Sequence, residues 1–294
     1  GVFTIMVIAD MFRPAMFVSL GVYAKPENRV RALSLVRLSV NLGFATGPVL
    51  GGLIILGLGY QGLFWIDGST CILAILIFAY FVKEKKKIAE HQDKSDLSLE
   101  TKSVFRDKPF WVFLFISFTT AMLFFQIFTT LPLFHHEKFG MSEFQTGLLL
   151  SLNGILIFMF EMPLVSIMER KQVNRIKIIF VGALLMVTSF YVLLIDVWVG
   201  ILAVGIIFMT FGEIFSFPFS NAFAMGRAPR GQEGRYMALY TMSFSLAHIL
   251  SSKVGLEIIG HFGYATNWFV MGSLGLVAML FCFWLHRLLQ TEIK

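Results

Sequence analysis

The stretch Leu42-Gly43-Phe44-Ala45-Thr46-Gly47-Pro48-Val49-Leu50-Gly51-Gly52 lies within an apolar segment, residues 33–56, that contains no Asp, Glu or Lys. Gly43, Gly47 and Gly51 recur every four residues, a spacing that puts them in one stripe of a helix and makes a groove where another helix approaches closely. Pro48 removes a backbone donor and is expected to kink that helix. Arg37 and Asn41 fall on a face largely opposite the stripe and are expected at a gate or helix interface, with snorkelling of Arg37 to headgroups as the alternative.

Eight further apolar segments surround this one, at about 1–23, 62–82, 110–133, 144–167, 176–195, 198–223, 235–258 and 265–286. Each is near the ~20 residues a helix needs to cross the hydrocarbon layer. With 57% hydrophobic and 14% charged residues and a mean hydropathy of +0.77, a water-soluble domain is excluded. Twenty of the 24 Lys and Arg residues fall in five polar stretches, at 25–31, 83–108, 170–177, 227–235 and in the tail. The alternate set of turns holds only Lys138. By the positive-inside rule the basic stretches, and with them the C-terminus, are expected in the cytoplasm of a cell-membrane protein. That topology accounts for the pI of about 9.3 without a nucleic-acid partner, since no aromatic-interleaved basic patch is present. The fold class is therefore an all-α polytopic membrane protein. Its longest polar stretch divides it into residues 1–82, a linker at 83–109, and six spans in 110–294.

Ser34 followed by Gly43-x-x-x-Gly47-Pro48-x-x-Gly51-Gly52 resembles the "antiporter" motif on the fifth helix of the major facilitator superfamily, with Ser34 where that motif usually starts with Gly. Phe12-Arg13-Pro14-Ala15, Pro26-Glu27-Asn28-Arg29, Gly212-Glu213 with Pro218, and Gly234-Arg235-Tyr236-Met237 are similar to segments of its bacterial drug-proton antiporters. The resemblance implies a twelve-helix bundle of two six-helix halves. Nine of those helices are then expected here, with three upstream of Gly1. It also implies that the spans starting at Gly1, Phe110 and Trp198 line a central cavity, and that transport proceeds by alternating access.

Thr119, Gln126 and Thr130 return to one side of their helix, and Glu213, Ser216 and Ser220 to one side of theirs. A carboxylate near the bilayer centre costs roughly 2.5–3.5 kcal/mol on insertion scales. Glu213 is therefore a candidate for binding a coupling proton or a cationic substrate, the alternative being a structural carboxyl bonded to a neighbouring helix. Gln126, Asp10 and Arg13 are further candidates for substrate or proton binding, although Asp10 and Arg13, three residues apart, also make a reasonable structural pair. Glu161, with Asn153 before it, is expected to bond between helices rather than to substrate.

Other signals carry no chemistry. Gly57-Leu58-Gly59-Tyr60-Gln61-Gly62 spells a dinucleotide fingerprint but follows a membrane helix instead of a strand. His135-His136-Glu137 points adjacent histidines in different directions. Cys71 and Cys282 lack redox or metal spacing. No cofactor or metal is expected, and no enzyme. The expected function is proton-coupled export of small drug-like molecules, with solute-proton uptake as runner-up and a membrane enzyme or a non-transporting scaffold behind. The expected partners are a small-molecule substrate and the lipid bilayer.

Overall fold

The computed structural model describes residues 29–81, 104–195, 197–229 and 232–293; the side chains of 29–38, 233 and 293 fall outside that description. Seven α-helices are described: α1 Arg29–Phe81, α2 Lys108–Phe125, α3 Thr130–Phe139, α4 Glu143–Arg170, α5 Arg175–Leu193, α6 Gly200–Arg227 and α7 Glu233–Ile293. Six helical stretches among these residues are long and apolar enough to cross a membrane. The first expected span, with Asp10 and Arg13, lies outside the described residues, so the total of nine is not tested.

Two helices are too long for one crossing. At 1.5 Å per residue, the 53 residues of α1 and the 61 of α7 would reach roughly 80 and 90 Å, against ~30 Å of hydrocarbon. Each is broken at a glycine with positive φ, Gly59 (φ 69°) and Gly263 (φ 82°), a conformation that a side chain disfavours. The chain folds back at both points. A Cβ on Gly51 would stand 3.7 Å from Leu63 Cδ1, and Ser251 and Asn267 both bond the Gln126 side chain; twelve or sixteen residues of continuous helix would hold these pairs far apart. The expected turns near 57–62 and 259–266 are these reversals. The helix also continues through Pro48, so the break in α1 comes at Gly59 and not at the proline.

Local chemistry sets the other ends. Asp107 Oδ1 caps α2 by accepting from Phe110 N–H. Gly140, left-handed, closes α3. Ser142 and Gln145 then form a reciprocal capping box that starts α4. The expected span 110–133 is not one helix: α2 gives way to a 3₁₀ turn at Gln126–Phe128 before α3 begins.

The α1–α4 crossing uses a face of α1 beside the glycine stripe. Among the described residues nothing lies within 4 Å of a Cβ built on Gly43 or Gly47. The close approach is on Ala45, Pro48 and Gly52, a different face: a Cβ on Gly154 would meet Ala45 Cα at 2.5 Å, one on Gly147 would meet the Pro48 carbonyl oxygen, and one on Gly52 would meet Phe144 Cα at 2.7 Å. The small residues that admit α1 are thus partly its own and partly those of α4. Ring contacts hold α2 to its neighbours, Phe113 on Phe223 at 4.6 Å and Phe124 on Phe217 at 5.0 Å joining α2 to α6, and Phe110 on Tyr236 at 4.4 Å joining α2 to α7.

Candidate functional site

Glu213 owes its direction to the glycine before it. Gly212 is pressed on α5, where an added Cβ would lie 2.6 Å from Met186 Cγ and 2.9 Å from the Gly182 carbonyl oxygen. One residue on, a turn of 100° carries Glu213 toward α4. There Asn153 Nδ2 donates to Glu213 Oε2 at 3.1 Å and to Thr210 Oγ1 at 2.9 Å. Glu213 is half-buried, whereas Asn153 and Thr210 are buried. Ser216, three residues on and some 60° round the helix, packs against Gly182 of α5.

Gln126 sits in the 3₁₀ turn and is completely buried. Its Nε2 donates to Ser251 O at 2.8 Å and Ser251 Oγ at 2.9 Å. Its Oε1 accepts from Thr130 Oγ1 at 2.6 Å and from Asn267 Nδ2 at 3.1 Å. All four hydrogen-bonding positions of the amide are thereby used within the protein. Gly255 leaves the space, since a Cβ there would stand 2.6 Å from Gln126 Oε1. Glu161 is buried on α4, and Asn41 is half-buried on α1. The Arg37 side chain, like Asp10 and Arg13, lies outside the described residues.

Three groups escaped the sequence reading. At the basic end, Asp107 accepts from Arg227 Nε and Nη2, both at 2.8 Å, and from Tyr236 Oη at 2.9 Å, and Arg227 also reaches both oxygens of Glu292. Burial alone would raise the Asp107 carboxyl, but Arg227, Tyr236 and Phe110 N–H together hold it below the usual carboxylate range. At the opposite end, Tyr60 Oη donates to Glu143 Oε1 at 3.0 Å, joining α1 to α4. His135, past the apolar part of its segment, is fully enclosed with neither ring nitrogen bonded by protein; burial pushes it down to about 4, so it is neutral. Only residue type was visible for the first two, because their partners lie up to 129 positions away.

Two cavities flank this core. One of about 580 Å³ at the basic end is lined by Glu169, Asn174, Arg175 and Phe219 among others. The other, about 550 Å³ at the opposite end, has Pro48, Gly51, Gly52, Tyr60, His136 and Glu143 in its wall. Glu213 and Gln126 line neither of them. Among the described residues no group of three or more His, Cys, Asp or Glu side chains could hold a metal ion.

Apolar helices of bilayer length, with polar side chains turned to one another between them, define a multi-pass membrane protein. Residues 2–252 match the Major Facilitator Superfamily, and the chain belongs to that family. It is 23% identical over 242 residues to the uncharacterized MFS-type transporter YttB of Bacillus subtilis (strain 168), a match that covers 81% of this chain. The matched region spans 59% of that relative's length. Among solved structures, a D-xylose-proton symporter superposes with a TM-score of 0.64 at 18% identity, covering 91% of this chain and 65% of its own. A bacterial homologue of the iron transporter ferroportin, in an inward-facing state, also gives 0.64, at 14% identity, covering 89% and 64%. A peptide transporter POT in complex with sulfate gives 0.64 at 15% identity, covering 94% and 72%. At these identities the likeness is one of fold.

Proposed function

We propose that this chain forms the larger part of a proton-coupled secondary transporter that exports small, drug-like molecules by alternating access. Residues 1–82 belong to one bundle and 110–294 to the other, joined by a cytoplasmic linker at 83–109. The basic ends and the C-terminus face the cytoplasm of the cell membrane. The observation that carries the reading is Glu213: a carboxylate in the interior of an apolar helix, which accepts a hydrogen bond from Asn153 across the junction between α4 and α6. A carboxyl so placed gains or loses a proton with a change in local hydrogen bonding, and that difference is what biases a two-state bundle toward one side.

The test is transport in proteoliposomes by the product of the complete reading frame. Glu213→Gln is expected to lower flux driven by a pH gradient at least tenfold while substrate exchange without a gradient continues. Gradient-driven flux at the wild-type rate removes Glu213 from the mechanism. The sign of the flux decides between export and uptake, since symport would use the same carboxyl in the opposite sense.

A further inference from the structure

Arg175 is anchored inside the protein and leaves most of its guanidinium unused. Its Nη1 donates to the Ala222 carbonyl of α6 at 2.9 Å. Gly226 makes the room, since a Cβ there would stand 2.9 Å from that nitrogen. The side chain is therefore fixed in place, while among the described residues the rest of its donor fork meets no acceptor and no carboxylate. Arg175 stands in the wall of the cavity of about 580 Å³ at the basic end, and Glu169 stands in the same wall. Glu169 has no side-chain partner among the described residues either, so the two charges share one cavity without pairing. Most of the remaining wall is apolar, built by Met168 of α4, Val173 of the turn, Phe219 and Phe223 of α6 and Leu289 of α7.

This cavity opens at the edge of the bilayer. The candidate spans on either side of the turn end at Arg170 and begin again at Arg175, so the turn stands at headgroup level, where Lys and Arg collect. Residues 169–177 carry Arg170, Lys171, Arg175 and Lys177 against the one acid Glu169, which calls for a ligand of net negative charge. The free fork of Arg175 matches phosphate oxygens in pairs. Glu169 accepts and cannot donate while ionised; it repels a doubly charged phosphate and is suited to a hydroxyl. Basic pockets between membrane helices on the cytoplasmic side are places where lipid headgroups bind. We propose that this cavity binds an anionic phospholipid of the phosphatidylglycerol type, with its phosphodiester on Arg175, a headgroup hydroxyl donating to Glu169, and an acyl chain along Met168, Phe219 and Leu289. The bound lipid joins the α4–α5 turn to the inner ends of α6 and α7. Glu213 does not line this cavity, so the site is the same whichever way substrate moves.

The experiment titrates the complete protein, purified in detergent, with phosphatidylglycerol, phosphatidylethanolamine and phosphatidylcholine in mixed micelles, and reads the retained lipid by native mass spectrometry. Phosphatidylglycerol is expected to bind about tenfold more tightly than either zwitterionic lipid, and Arg175→Gln to lose that factor with its binding of phosphatidylcholine unchanged. Met168→Trp fills the apolar part of the cavity and is expected to weaken phosphatidylglycerol by a similar factor. If Arg175→Gln does not reach the membrane, Met168→Trp decides alone. Equal binding of the three lipids, tighter binding of phosphatidylethanolamine, or a preference for phosphatidylglycerol that survives in the variants overturns the proposal. Inorganic phosphate at the same concentration is expected to leave the bound lipid in place; its displacement of the lipid would assign the wall to a soluble anion and overturn the lipid as occupant.

Discussion

His135 is the residue whose behaviour is most at odds with its type. Its folded value of about 4 lies below the ordinary 6.5, so between these limits the unfolded chain binds a proton that the folded one excludes. Stability is expected to fall as the pH drops from 6.5 toward 4, by roughly 3 kcal/mol in total, and to be insensitive to His135 above and below that window. Thermal unfolding in detergent across this range, compared with His135→Leu, checks it: the slope should disappear in the variant. Residues of this kind mark the limit of what a sequence discloses. Gln126 stood out because an amide in an apolar helix demands partners, but a substrate-facing amide and one saturated by Ser251, Thr130 and Asn267 look alike until the helices are packed. Neither Ser251 nor Asn267 differs in type from the many hydroxyls and amides that end up exposed.

Among elements, the α1–α4 crossing carries the sharpest expectation. A side chain at Gly154 would enter the Ala45 backbone, so Gly154→Leu is expected to push α1 off α4 and destabilise the protein by about 1–3 kcal/mol, the usual cost of overpacking. Thermal unfolding in detergent checks it against Gly43→Leu, where nothing among the described residues lies within 4 Å of the added Cβ: only Gly154→Leu should lose that stability. The helices themselves were legible, because runs of apolar residues bounded by charge report the bilayer directly: the expected reversals at 57–62 and 259–266 contain Gly59 and Gly263. The face that α1 presents to α4 was not. A four-residue glycine repeat says that some helix can come close, but the choice between Gly43-Gly47-Gly51 and Ala45-Pro48-Gly52 is made by the small residues of the partner, Gly147 and Gly154. The interruption at Gln126–Phe128 was passed over, although Pro132, in the first turn of α3, cannot donate to the Phe128 carbonyl.

For the molecule as a whole, the basic end is tied by Arg227, which joins Asp107 at the start of α2 to Glu292 at the end of α7. Arg227→Gln leaves the largely enclosed Asp107 carboxylate without its charged partner. The expected loss is about 2 kcal/mol, discounted from the value for a fully buried pair because the Glu292 side chain is 43% exposed. Asp107 also gives this end a sign in acid. Its folded value is lowered, so its contribution is present above the ordinary value of 3.8 and is lost as the pH falls below it; denaturation by acid should therefore be shallower in Arg227→Gln. The basic stretches were visible in the sequence, while this clamp was not, because Arg227 looks like any other member of such a stretch.

The bonds around Gln126 also impose an order of events on synthesis. Ser251 and Asn267 follow it by 125 and 141 positions, which at roughly 5–20 residues per second is on the order of ten seconds of translation. For that interval the amide has only Thr130, its near neighbour in the chain. The amide is made well before the groups that close on it, so a nascent protein stalled before residue 251 carries an unsatisfied amide in the membrane, the kind of mark by which an unfinished product differs from a finished one.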